Sequence, residues 1–206
     1  MEIAVSPEDA GLAGFDWRVS MATVAADGPF SIFPGIDRTL AILDGNGMVL
    51  EIEGSAPVLL TTASDPLAFP ADIPVAARLQ DGAITDLNVM TRRDGLAHTL
   101  IRIDIDGGTS VPLTSSTCLL LCHRGALSFR RDGESGTLAA GDALLIADAA
   151  GTALEIDGEA QMLSRLDRHA LIFAQRLEKT GQSKNGLSLR SDDCDFRPWT
   201  SFLLLV

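Results

Sequence analysis

The dipeptide Asp-Gly occurs at positions 27, 44, 81, 94, 106, 132 and 157, and it punctuates most of the chain. Each copy pairs two residues that tolerate the positive φ of a tight hairpin turn, so each is a signal for joining adjacent strands. Between the turns lie short segments rich in β-branched and aliphatic residues: "WRVSMATVA", "TLAIL", "MVLEIE", "TDLNVMTRR", "HTLIRIDI", "TCLLLC", "ALSFRR", "ALLIAD" and "ALEID". Turns this frequent leave little room for long helices, and the pattern predicts an all-β chain folded as an antiparallel barrel or sandwich. The one stretch with helical character is "DRHALIFAQRLEK", residues 167 to 179.

At 206 residues and 46% hydrophobic content, the chain can bury one sizeable core or two small ones. Internal similarity favours two. A shift of about 80 residues lays "LAILDGNGMVLEIEG" over "LLLCHRGALSFRRDG" with apolar residues matching at most positions. The second copy continues into "GTLAAGDALLIAD", where a Gly-Asp turn leads into an apolar strand, as in barrels of the jelly-roll kind.

The net charge of -12, from 28 acids against 16 Lys plus Arg, makes nucleic acid and anionic lipid unfavourable partners. A small anion is still admissible, because one buried Arg creates a local positive site in an acidic protein. Apolar runs such as "FLLLV" are too short to span a membrane. The start "MEIAVSPEDAG" lacks the order of a signal peptide, so the expected location is cytoplasmic. Cys118 and Cys122 would stand about 13 Å apart on one face of a strand, too far to bridge, and read as buried thiols.

The three histidines, His98, His123 and His169, are scattered, and residues 30 to 90 contain none, so no metal site is expected. No nucleophile elbow accompanies them. "DGNG" at 44 to 47 is not followed by a helix, and neither a phosphate cradle nor a cofactor is expected. Two polar stretches carry the candidate chemistry. In "IDRTLAIL" alternation puts Arg38, Leu40 and Ile42 on one face and Asp37, Thr39 and Ala41 on the other. Either Asp37 and Arg38 form a surface pair that caps a loop, or Arg38 points inward and needs a counter-charge such as a ligand carboxylate. In "TDLNVMTRR" the same rule puts Asp86, Asn88, Met90 and Arg92 on one face, with Arg93 on the other. That face is either solvated or a reading surface, on which Asn88 could meet a carboxamide, formyl or imidazole group. Phe30 and Phe33 could wall such a pocket or simply fill the core.

"FDWRVSMATVAADGPFSIFPGIDRTLAILDGNGMVLEIEG" (15 to 54), followed by "DGAITDLNVMTRR" (81 to 93), resembles the HutD/Ves family of bicupin-like proteins over about residues 1 to 165. The resemblance implies two cupin-type barrels, 1–93 and 94–167, and a cytoplasmic role linked to histidine utilisation. It also implies a small carboxylate metabolite, of the formylglutamate or urocanate type, as the ligand. In the family the Arg matching Arg38 faces the pocket, and with the residues placed by alternation and the Phe wall above, the candidate ligand-binding set is Arg38, Asn88, Asp86, Phe33, Met90 and Arg92. Family members carry a Trp-Lys-Asn-Gly-Gly-Gly segment upstream of "EIAVSPE", and this chain begins after it. Residues 168–206 resemble nothing in the family; 180 to 195 read as flexible, and "SFLLLV" could pair as a strand. Two other functions fit the sequence: a metal-free cupin isomerase or hydrolase using Asp86 and a His, or a homodimeric interaction module without ligand.

Overall fold

The computed structural model describes residues 1–163 in full, and beyond them the backbone of the strands Ile172–Arg176 and Phe202–Leu205. The described residues are all-β, as the turn spacing predicts: they form strands, turns and loops and no helix. No helix among them is therefore long and apolar enough to cross a membrane. The chain divides into two compact units, Met1–His98 and Thr99–Val206.

The first unit contains nine strands: β1 (Glu2–Ser6), β2 (Trp17–Val24), β3 (Gly28–Pro29), β4 (Ile36–Asp44), β5 (Met48–Ile52), β6 (Val58–Leu60), β7 (Leu67–Pro70), β8 (Val75–Leu79) and β9 (Ile84–Arg92). One sheet has the order β1-β2-β9-β4-β7 and the other β3-β8-β5-β6. The "DGNG" turn carries the chain from one sheet to the other, with Gly45 and Gly47 both at positive φ. Side chains of alternate residues then meet between the sheets: Leu40 and Ile42 of β4 pack with Met48, Leu50, Val75, Ala77, Phe69 and Ile84. Residues of opposite parity on β4 and β9, among them Ala41, Leu43, Leu87 and Val89, are buried as well. These two strands are thus covered on both faces, so polar residues within them are buried along with the apolar ones.

In the second unit β10 (Leu96–Thr99) lies across the division. It is followed by β11 (Ile103–Asp106), β12 (Thr109–Leu113), β13 (Thr117–Arg131), β14 (Glu134–Ala139), β15 (Ala143–Ala147) and β16 (Thr152–Met162). The long β13 does the work of β4 and β5 together. Its first part pairs with β15, and its later part with β14 and β16. The change of partner falls at a bulge between Cys122 and Arg124, next to Gly125 at φ 80°. The two matched stretches differ here: β13 runs on through a bulge, whereas β4 and β5, which do not pair with each other, are separated by the "DGNG" turn. The inward row of β13, Cys118, Leu120 and Cys122, joins an apolar cluster, and the same unit also buries Ser115 and Asp142. Burial pushes the Cys118 thiol up to about 12 and the Cys122 thiol up to about 11, so both stay protonated and inert.

The helical expectation for 167 to 179 is corrected where that stretch is described. Ile172–Arg176 is a strand, β17, antiparallel to β13 at Cys118 and Leu119. An Ile-Phe pair favours an extended backbone, and the edge of β13 offers unpaired groups that a free helix would not satisfy. Phe202–Leu205 forms β18, parallel to β15. The flexible stretch expected at 180 to 195 lies outside the described residues.

Gly125 and Gly133 both have positive φ, but a Cβ at Gly125 would collide with the Glu159 carbonyl and Ala160, whereas at Gly133 it would meet nothing. Gly133→Ala should therefore cost only backbone strain, about 1 to 2 kcal/mol. Gly125→Ala should cost about 3 kcal/mol or more, because the bulge itself must shift. Urea unfolding midpoints of the two variants provide the check, and equal losses would refute the role assigned to Gly125.

Candidate functional site

Strand β9 is the centre of the site because it pairs with β2 on one side and β4 on the other. The two registers align three rows across the inner face: Arg18, Met90 and Arg38; Ser20, Asn88 and Leu40; Ala22, Asp86 and Ile42. Phe69 of β7 is aligned beside Arg38. Polar groups thus run along an otherwise apolar interior, and four of them are nearly closed to solvent: Arg38 is 4% exposed, Asp86 1%, Ser20 7% and Asn88 8%.

Arg38 points inward. Its guanidinium carbon lies 5.2 Å from the ring centre of Phe30, 5.3 Å from Phe33 and 5.9 Å from Phe69. Such a cage suits a weakly hydrated, delocalised cation, since each ring face presents negative charge. Polar satisfaction is much poorer. Nη2 donates to the Ser31 carbonyl at 3.3 Å, beyond the usual range, and the buried Nε has no partner. Burial lowers the pKa of Arg38 to about 10, the Asp86 carboxylate opposes that fall and Arg18 adds to it, so the group is still charged at neutral pH.

Asp86 is the counterpart. Its Oδ1 accepts from Asn88 Nδ2 at 2.7 Å, while its buried Oδ2 has no partner. Burial pushes its pKa up to about 6, against the stabilising effects of the Ala22 N–H, Arg38 and Asn88. One inner face therefore holds a charged donor and an acceptor, each with an unused hydrogen-bonding position. Unpaired groups of this kind are costly unless something else meets them.

The other residues expected at the site divide into two groups. Phe33 and Met90 join the inner cluster with Val5, Phe15, Ile36 and Ala71. Arg92 shares the parity of Met90 but ends the strand, and its guanidinium turns to the neighbouring loop: Nη2 donates to the Phe15 carbonyl at 2.8 Å, and Nε lies 3.7 Å from Asp16. Asp37 faces outward and binds Arg93 at 2.7 Å; Arg93 also binds Asp72 at 2.9 Å and the Ile36 carbonyl at 3.2 Å. The Arg93 hydrogen bond holds the Asp72 carboxyl below its ordinary range, and this surface network fastens the start of β4. Asp37 and Arg38 therefore do not pair with each other but serve opposite faces.

Arg18 is an inner-face residue that the sequence reading passed over. Its Nε pairs with Glu2 at 2.7 Å and its Nη1 donates to Ser20 at 3.2 Å. The alternation in "WRVSMATV" holds the signal, since Arg18 and Ser20 oppose Val19 and Met21. Phe30, Ser31 and Phe69 complete the surroundings of Arg38. His98 lies elsewhere: its ring nitrogens are 2.7 Å from Thr91 Oγ1 and 2.8 Å from Thr39 Oγ1, both on the opposite strand face. Burial lowers its pKa to about 4, so the imidazole is neutral and clamps β4 to β9. Among the described residues no group of three His, Cys, Asp or Glu side chains is placed to hold a metal. An open pocket of about 340 Å³ adjoins the cage through Phe30, lined by Pro29, Ile32, Ile52, Pro74, Val75 and Ala76 together with Glu51 and Glu53.

The raised pKa of Asp86 fixes the sign of a pH effect. Between its ordinary value of 3.8 and about 6 the folded state holds the proton more tightly, so stability falls as pH rises through that window. The difference corresponds to about 3 kcal/mol. Asp86→Asn removes this titration, so from pH 4 to pH 7.5 the variant should gain on the wild type by an amount of that order. Urea unfolding at several pH values tests it, and parallel curves would contradict the assignment.

The sequence profile of the HutD family matches residues 1–164. A Ves protein from Citrobacter koseri is 41% identical over 81 residues, which is 39% of this chain and 42% of that protein, so the match spans less than half of the relative's length. Among solved structures, a conserved protein of unknown function from Pseudomonas aeruginosa superposes with a TM-score of 0.74 at 30% identity, covering 85% of this chain and 90% of that one. HutD from Pseudomonas fluorescens superposes at 0.65 with 26% identity, over 85% and 86% of the two chains. A cupin 2 barrel-domain protein from Leptotrichia buccalis, 13% identical with a TM-score of 0.51, covers 79% of this chain and 85% of its own and supports a cupin-like fold. With an all-β, cupin-like architecture and a profile match over most of its length, the chain belongs to the HutD family.

Proposed function

We propose that this chain binds a small carboxylate metabolite in its first unit and governs or senses histidine utilisation through that binding. On this reading each unit is a cupin-type barrel and the protein works in the cytoplasm. The supporting observation is Arg38: a buried, charged guanidinium whose Nε has no partner and whose Nη2 is bonded only at 3.3 Å. A carboxylate fits this group because it accepts two parallel hydrogen bonds from Nε and Nη2 and neutralises the charge. The unused Oδ2 of Asp86 and the amide of Asn88 then select the far end of the ligand, favouring an N–H or carbonyl group there. A formylated amino acid or an imidazole acid carries both features.

An enzyme working by acid–base chemistry would need Asp86 beside a histidine, and His98 is clamped on the opposite face of the same strands. The inward row of β13 in the second unit, Cys118, Leu120 and Cys122, offers no cation to a carboxylate.

Titration calorimetry with formate, glutamate and N-acylated or imidazole carboxylates is the direct test. Formate is the smallest probe, and it is the ion named in the condition of the P. fluorescens HutD structure. Arg38→Leu should weaken carboxylate binding roughly ten- to hundredfold, the loss expected for one charged hydrogen-bonded contact. Arg93→Leu removes the outward ion pairs with Asp37 and Asp72 and the bond to the Ile36 carbonyl, none of them on the inner face, and should keep affinity within about fivefold. Equal affinity in wild type and Arg38→Leu would exclude Arg38 as the anion site.

A further inference from the structure

Arg38 is closed off by the chain's own backbone. The connection from β3 to β4 passes over it, with Phe30 and Phe33 packed on the guanidinium and the Ser31 carbonyl capping Nη2. The neighbouring Nε is itself shielded from solvent, so no ligand reaches the guanidinium in this state. The strap is fastened on either side of its tip: the Phe30 N–H donates to the Val75 carbonyl and the Phe33 N–H to the Ala71 carbonyl, both at 2.8 Å. Between these anchors only Ser31 and Ile32 are free to turn. Ile32 is the oddity of the segment, an isoleucine 54% exposed at the rim of the open pocket lined by Pro29, Ile52, Pro74 and Val75.

We propose that Phe30–Phe33 is a two-position strap: it opens Arg38 by turning the Ser31–Ile32 peptide outward, and it is held open by Ile32 seated in the adjoining apolar pocket. In the closed position the Ser31 carbonyl occupies Nη2 at long range and Ile32 stays half in water. In the open position that carbonyl is withdrawn and Ile32 buries its side chain. A population shift needs such a difference between the two states, and here apolar burial on one side is set against a poor hydrogen bond on the other. The motion involves two residues between fixed anchors, so the sheets themselves need not move. The carboxylate reading enters only through what arrives at Arg38; the strap stands or falls separately.

The test uses phenylglyoxal, which modifies accessible guanidinium groups, on the full chain without ligand. Peptide mass spectrometry follows Arg38, with exposed Arg130 as the internal reference. Ile32→Ser removes the side chain that seats, and Ala76→Leu fills the pocket that receives it; both positions lie outside the core, and circular dichroism checks the fold. Each substitution should slow Arg38 modification about three- to tenfold relative to Arg130, the loss of roughly half an isoleucine burial. Any pattern other than slowing in both variants overturns the proposal, because a passive cover has no need of Ile32 or of the pocket. Slowing in both without carboxylate binding in calorimetry would retain the strap and remove the carboxylate function.

Discussion

Strand β9 pairs with β2 along one edge and β4 along the other, and this double pairing fixes the position of every inner polar group. The side-chain period of a strand is two, so a one-residue slip on either side would send Arg38 or Asp86 outward and bring Asp37 or Thr85 in. Register is protected from both faces. Leu40, Ile42 and Ile84 pack into the core between the two sheets, and His98 bridges Thr39 and Thr91 behind them. Arg93 adds a clamp at the open end through Asp37, Asp72 and the Ile36 carbonyl.

The two units differ in one physical respect. The inner row of β13 is Cys118, Leu120 and Cys122, while that of β4 is Arg38, Leu40 and Ile42. A protein needing only stability would fill both interiors with apolar groups, since burying a charge without a full set of partners is unfavourable. The first unit instead keeps a cation among three rings and a carboxyl whose ionisation burial resists. That unfavourable arrangement is the main reason to place function in this unit.

Much of this was legible before any coordinates. The Asp-Gly dipeptides signalled turns between short strands, although of the seven only Asp132-Gly133 joins two strands that pair with each other, and alternation within "IDRTLAIL" and "TDLNVMTRR" put Arg38, Asp86, Asn88 and Met90 on faces that turn out to be one. Arg92 shows the limit of that rule: a strand-terminal side chain answers to the loop beside it, here Phe15 and Asp16, more than to parity. Alternation in "WRVSMATV" marks the face of Arg18, but nothing local to that stretch says that its neighbour is β9. The Ser31 cap and the Phe30–Phe33–Phe69 cage depend on contacts between segments far apart in sequence. The stretch around Ile172 was misread because its apolar spacing is short enough to suit either period, and the open edge of β13 decided it.

The central claim is that Arg38 is an anion receptor awaiting its partner. The Nε–Hε resonance of Arg38, assigned by comparing wild type with Arg38→Leu in nitrogen-15 NMR spectra, reports on that atom directly. Titration with a small carboxylate should shift this resonance saturably, while the surface arginines Arg78 and Arg130 change only with ionic strength. A resonance that stays fixed across the series, or moves only in step with those surface residues, would contradict the account.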